Sequence, residues 1–270
     1  MRVGAVVPYP IRGKEGGADE LAQGAANIEV AGFDSIWAYE VVCRRRPTWD
    51  PLAALAVAAA VTRKVELGTC IVQVPLHAPA VLAQRVMTLH MLARDRLLFG
   101  VGSGSTKEDF DAAGADFTTR FETLSANLAT MQALWRGETV DGVNLHPWES
   151  TLGGPKIVIG SWHSGTWIPR AAKEFHAWMA SARRGGKLAE GIERYRNLGG
   201  QRAIVATIDV DLDAEDGPFD AENGFLHLNC DHAEAMRRLR WLADLGYDDV
   251  LLRTTDHSLT NLQRIRELSP

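Results

Sequence analysis

The sequence predicts an α/β fold, a single (β/α)8 TIM barrel spanning residues 1–270. Three observations lead there. Short runs rich in β-branched residues alternate with longer helical stretches, the alternation repeats eight times, and no shift in composition divides the chain into two parts.

Residues 3–8 read as the first strand. A helix over 19–32 follows, with Leu21, Ala25 and Ile28 on one face and Gly32 as its stop. Residues 35–39 form the second strand, and Asp50-Pro51 supplies an N-cap and a first-turn proline for the next helix, through Leu55 and Ala59. The third strand falls at 65–72. Pro79 opens a helix carrying Leu82, Val86 and Leu89, and 96–101 is the fourth strand. Thr119 and Glu122 have capping-box spacing ahead of a long helix with Leu124, Leu128, Met131 and Trp135 inward. Gly, Pro and polar residues then dominate 137–155, which is expected as an insertion over the barrel mouth. The rhythm resumes with strands at 156–160, 177–182, 202–212 and 249–253. Their helices fall near 164–174, at 187–198, from Asp231 and Glu234 to Gly246, and at 259–268.

Hydrophobic residues make up 46% and charged residues 23%, as in an ordinary globular domain. A net charge of −5 gives no electrostatic reason to expect nucleic acid. Cys43, Cys70 and Cys230 form no C-x-x-C pair, which speaks against a disulfide framework and a zinc site and fits a reducing cytoplasm. The opening residues, broken by Pro8 and Pro10, do not resemble a signal peptide, and no run is long enough for a membrane span. The eight histidines lack metal-ligand spacing, and His77, His90, His146, His176, His232 and His257 read as surface or loop residues.

In such a barrel the chemistry belongs at the carboxyl ends of the strands. That selects Pro8-Tyr9, Tyr39-Glu40, 70–74, 102–105, 160–164, 182–184, 209–211 and 253–256. The glycine-rich 100–104 and 160–165 allow close backbone approach to an anion, and both equally suit plain tight turns.

Several segments taken in order resemble a known family. They are Glu29-Val-Ala-Gly-Phe-Asp-Ser-Ile-Trp37 with Glu40, Leu67-Gly-Thr-Cys-Ile-Val-Gln-Val-Pro75, and the run from Met87 to Gly104. Glu108-Asp-Phe110, Gly114, Arg120, Ile157-Val-Ile-Gly160 and Arg170-Ala-Ala172 continue the pattern. Together they are similar to bacterial-luciferase-like monooxygenases and coenzyme F420-dependent oxidoreductases, over 1–136 and 156–182. The resemblance implies a tricyclic cofactor in the barrel mouth, with a non-prolyl cis peptide at Cys70-Ile71 supporting it. It also implies phosphate seats at Ser103-Gly104 and Gly160-Ser161-Trp162, and Pro8 is counted with these cofactor-facing residues. A histidine often follows the glutamate in that family; here the residue is Val41. Tyr9, Tyr39, Glu40 and His163 are the candidates by location for its work, and each also has a purely structural reading. Arg44–Arg46 could meet an anionic group or simply be solvated.

The flavin-using branch commonly presents an arginine where this chain has Ser103, which favours coenzyme F420 over FMN. The expectation is therefore F420-dependent hydride transfer with a small organic substrate. An FMN-dependent monooxygenase and a cofactor-binding protein without catalysis are the alternatives. Expected partners are the substrate and, as an allowance, a second copy in a homodimer.

Overall fold

The computed structural model describes residues 1–10, 16–43, 47–162, 165–183, 186–215, 217, 219 and 225–269. Strands and helices alternate as β1 (Arg2–Val6), α1 (Ala18–Val30), β2 (Ser35–Ala38), α2 (Pro51–Val61), then β3 (Glu66–Thr69) with β4 (Val72–Gln73). Next come α3 (Pro79–Ala93), β5 (Leu97–Gly102), α4 (Lys107–Ala113), α5 (Arg120–Trp135), β6 (Lys156–Gly160) and α6 (Trp167–Glu174). The chain continues through β7 (Ala177–Ser181), α7 (Gly186–Asn197), β8 (Ala203–Asp211), β9 (Leu228–Asn229), α8 (His232–Asp244), β10 (Asp249–Arg253) and α9 (Leu259–Arg266).

All pairings between these strands are parallel, and β10 joins β8 on one side and β1 on the other, so the sheet closes. β3 and β4 together occupy the third of eight positions, and β9 adds a short strand beside the end of β8. The expected (β/α)8 barrel is the observed fold. No helix among the described residues is long and apolar enough to cross a membrane.

Alternation along each strand divides the core in two. Val3, Ile36, Leu67, Phe99 and Ile159 face the helices, whereas Trp37, Cys70, Leu98, Val158, Met179, Ile204 and Leu251 fill the interior. Trp37 lies between Gly4 and Gly68, where a Cβ would come within 2.8 Å and 2.3 Å of its ring. At the base, Arg202 binds Asp249 (2.6 Å) and Glu66 (2.8 Å), and Arg2 binds Glu66 (2.6 Å), so four charges close that end.

Local signals act as expected at several ends. Asp50 accepts from the Ala53 amide with Pro51 at the first helical position, Asp231 caps α8 through the Glu234 amide, and Gly32 follows α1 at φ +86°. Four expectations need correction. Thr119 stands at the N-cap of α5 without a side-chain cap bond; the first turn is instead held by Arg120, which donates to Phe117 O and stacks on Phe117 and Phe121. The third strand is interrupted rather than continuous. The 137–155 insertion, with a turn at Glu149–Thr151, packs against the carboxyl ends of α3 and α5 through Met91 and Trp135. A helix-to-strand connection belongs at the base of such a barrel, so this segment does not wall the mouth. His90 is buried on α3 and not at the surface.

Candidate active site

The site begins with a register mismatch. Gly68 faces Leu98 and Val72 faces Val101, so four steps on the third strand are matched to three on β5. The extra residue makes a bulge, and within it the Cys70–Ile71 peptide is cis, as the resemblance implied. Hydrogen bonds grip it from both sides. Cys70 N donates to Ala38 O (2.8 Å), Glu40 N donates to Ile71 O (3.2 Å), and Thr69 Oγ1 donates to Gly100 O (2.6 Å).

Glu40 secures the segment beyond the bulge. Its side chain is 7% exposed; Oε2 accepts the Gln73 amide (2.7 Å) and Oε1 meets His77 Nε2 (2.7 Å). Glu40 is thus a brace across two strand ends. His77, read from sequence as a surface or loop residue, is its partner. The signal was faint, since the two lie 37 positions apart. Asp109, fully buried on α4, extends the brace by accepting from Cys43 N (2.9 Å) and Gln73 Nε2 (3.1 Å). It ties the loop after β2 to the loop after the third strand. In the sequence it stood only within Glu108-Asp-Phe110, one of the segments that carry the family resemblance.

The expected phosphate seats converge. Val101 pairs with Ile159, which sets Gly102 beside Gly160. The Ile71 side chain lies over both: a Cβ on Gly102 would approach it to 3.0 Å and one on Gly160 to 2.7 Å. Gly104 adopts φ +77°, and a Cβ there would meet Gln73 Oε1 at 2.6 Å. The floor from the bulge to Ser103-Gly104 therefore carries little side chain apart from Ile71. Ser161 commits its amide to Met179 O (3.2 Å), and its Oγ accepts from Trp178 Nε1 (3.1 Å), leaving the hydroxyl hydrogen as its donor. Trp162 is exposed beyond it, and His163 lies outside the described residues, as do Arg44–Arg46.

Pro8 is wedged against α1, where a Cβ on Gly24 would reach its ring at 2.2 Å, and its carbonyl accepts from Trp49 Nε1 (2.9 Å). Beyond it Tyr9 and Tyr39 approach ring to ring at 6.3 Å. The Arg253 guanidinium stands 5.9 Å and 6.0 Å from those two rings and is held by both oxygens of Asp209 (Nη2 to Oδ2, 2.8 Å). This four-residue cluster was not assembled from the sequence. Burial pushes the Cys70 thiol up to about 12 against the opposing pull of Arg253, so the residue stays a neutral thiol. Val41 supplies no proton; its carbonyl accepts from Thr48 Oγ1 (2.8 Å).

A closed parallel barrel with this bulge and these paired glycine ends can be set against known proteins. Residues 1–246 match the model of the family described as luciferase-like monooxygenase. The chain belongs to that family. Among curated proteins, this luciferase-like chain is 28% identical over 143 residues to an F420-dependent glucose-6-phosphate dehydrogenase of Amycolatopsis mediterranei, covering 50% of this chain and 43% of that one. It is 35% identical over 133 residues to the protein of the same name from Beutenbergia cavernae, covering 46% and 40%. The chain thus spans less than half the length of these relatives. Among solved structures, an F420-dependent secondary alcohol dehydrogenase in complex with an F420-acetone adduct superposes with a TM-score of 0.75 at 16% identity, over 100% of this chain and 98% of that one. The oxygenating constituent of 3,6-diketocamphane monooxygenase from Pseudomonas putida, in complex with FMN, gives 0.77 at 15% identity, over 99% and 97%. At those identities the likeness speaks for the fold.

Proposed function

We propose that this luciferase-like protein is an oxidoreductase that exchanges a hydride with a small organic substrate using the deazaflavin coenzyme F420. The observation that carries this is the floor formed by Ile71 over Gly102 and Gly160, continuous with Ser103-Gly104. A planar ring needs a flat support with few side chains, and phosphoryl groups need close backbone approach; this floor offers both. Ile71 would support the ring. Ser103, Gly104, Gly160 and the Ser161 hydroxyl would hold the phosphoryl end, with exposed Trp162 at the rim. When bound, the deazaflavin supplies a two-electron hydride and does not hand single electrons to oxygen. The chain's own part is positional: Glu40, His77 and Asp109 fix the bulge and its flanking loops, and the neutral Cys70 keeps charge away from the ring.

The relatives named above support F420, and Ser103, standing where the flavin branch often has arginine, agrees. The FMN-bound neighbour keeps FMN as the second reading. Titrating the purified protein with each cofactor, followed by absorbance and calorimetry, tests the choice; F420 is expected to bind about tenfold more tightly, a difference of about 1.4 kcal/mol. Binding of FMN with no binding of F420 would overturn the assignment. Tight F420 binding with no turnover across alcohols, ketones and imines would make this a cofactor carrier instead, the role Val41 suggests.

Two coarser features accompany this reading. α2 has no polar side chain along its length, and its exposed residues Ala53, Ala60 and Val61, beside the partly buried Leu52, Ala56 and Val57, offer an apolar face to a second copy in a homodimer. Sedimentation at micromolar concentration tests this, and a monomer there would refute it. Cys43, Cys70 and Cys230 form no disulfide, which accords with a cytoplasmic setting.

A further inference from the structure

Around the closed barrel the glycine seats sit on β5 and β6, while Asp209, Arg253, Tyr9 and Tyr39 rise from β8, β10 and the ends of β1 and β2. The two groups occupy opposite sectors of the mouth with the bulge between them. Resting on the oxidoreductase reading, we propose that the Arg253–Asp209 pair, flanked by Tyr9 and Tyr39, is the seat for the oxygen of an uncharged carbonyl or alcohol substrate and discriminates against carboxylates and phosphate esters.

Four observations converge. Arg253 leans over the mouth: its charge is felt by Cys70, three strands away around the barrel, and its Cζ lies within 6.0 Å of rings from two other strands. Its donors are partly committed. Nε and Nη2 serve Asp209, and among the described residues no hydrogen bond from Nη1 is present, so that amino group can reach a ligand oxygen. The Arg253 side chain is 16% exposed and Asp209 32%, so a ligand can touch the pair.

Charge then selects the ligand. Asp209 neutralises the guanidinium, so the seat offers directed N–H groups without net positive charge. A second carboxylate would leave one uncompensated negative charge in a partly desolvated site. The faces of Tyr9 and Tyr39 carry negative quadrupole potential and oppose an anion further, while the neutral thiol of Cys70 and the side chain of Ile71 suit an apolar substrate body. A ketone or secondary alcohol satisfies Nη1 and brings no charge.

Ligand-observed NMR titration of the protein with cyclohexanone, cyclohexanecarboxylate and cyclohexyl phosphate, without cofactor, tests the seat. Wild type should bind cyclohexanone about tenfold more tightly than either anion. Asp209→Asn leaves the guanidinium uncompensated and should reverse that order. Arg253→Lys replaces the planar fork with a point charge and should weaken cyclohexanone about fivefold, with circular dichroism and melting unchanged as the check on folding. Preference of wild type for an anion, binding of none of the three, or selectivity unmoved in both variants would overturn the proposal; the last result would leave the pair as a link between β8 and β10 only. Cofactor titration is a separate measurement, so failure of F420 binding would sink the oxidoreductase reading and not the seat.

Discussion

Replacing Glu40 with alanine measures how much the bulge depends on its brace. The carboxylate is almost fully buried and receives two short hydrogen bonds, from the Gln73 amide and from His77, both at 2.7 Å. Hydrogen bonds to an ionised partner contribute about 1.5–3 kcal/mol each, and the Gln73 amide would be left buried without an acceptor, so a loss of about 3–4 kcal/mol is expected. For a chain of this size that lowers the melting temperature by about 5–7 °C. Glu40→Gln keeps one acceptor oxygen and should fall between. His77→Ala removes only one of the two bonds, and adding it to Glu40→Ala should cost little more, because the shared bond is already gone. Thermal unfolding followed by circular dichroism reads the stability, and cofactor titration of each variant reads the bulge. A Glu40→Ala protein that melts within about 1 °C of wild type and binds cofactor equally well would refute the brace.

Two further outcomes follow from the barrel itself. Gly100→Ala places a Cβ 1.7 Å from the Thr69 carbonyl oxygen, a backbone atom that cannot rotate aside, so a loss of at least about 3 kcal/mol is expected and a soluble, native-like variant would contradict the packing. At the base, burial raises the Glu66 carboxyl, but the guanidinium groups of Arg202 and Arg2 outweigh it and hold the group below its ordinary value of 4.5. A lowered value means that this stability is complete above the ordinary value and is lost as the pH falls through the lowered one. The melting temperature of wild type should therefore drop from about pH 5 downward, with a shallower drop in Glu66→Gln; parallel curves would show that Glu66 does not contribute to it.

The parts of the molecule legible in the sequence are those set by neighbouring residues. Asp50-Pro51 starts a helix and Gly32 and Gly246 end theirs because capping geometry is local, and the alternation of short and long elements gives the barrel. The bulge at Cys70-Ile71 was reachable only through likeness to a family, since periodicity alone reads one continuous strand there. Glu40 was found by location, but its role depends on His77, 37 positions on, and on the path of the intervening chain. Arg253 and Asp209 meet because the pairing of β10 with β8 shifts register between Val250 and Leu252, which no local pattern encodes. The 137–155 segment was assigned to the wrong end because composition marks a loop without saying which face it joins.

Trp37 also works as a spacer. With its indole hydrogen-bonded to Ser35 Oγ (2.7 Å) and flanked by Gly4 and Gly68, it is the large side chain immediately beneath the bulge. The depth of the proposed ligand chamber thus depends in part on a residue that would touch neither cofactor nor substrate. Exchanging Trp37 for a smaller apolar residue would lower the floor and enlarge the chamber from below, leaving the rim chemistry in place, which makes this buried position a handle for altering which molecules fit.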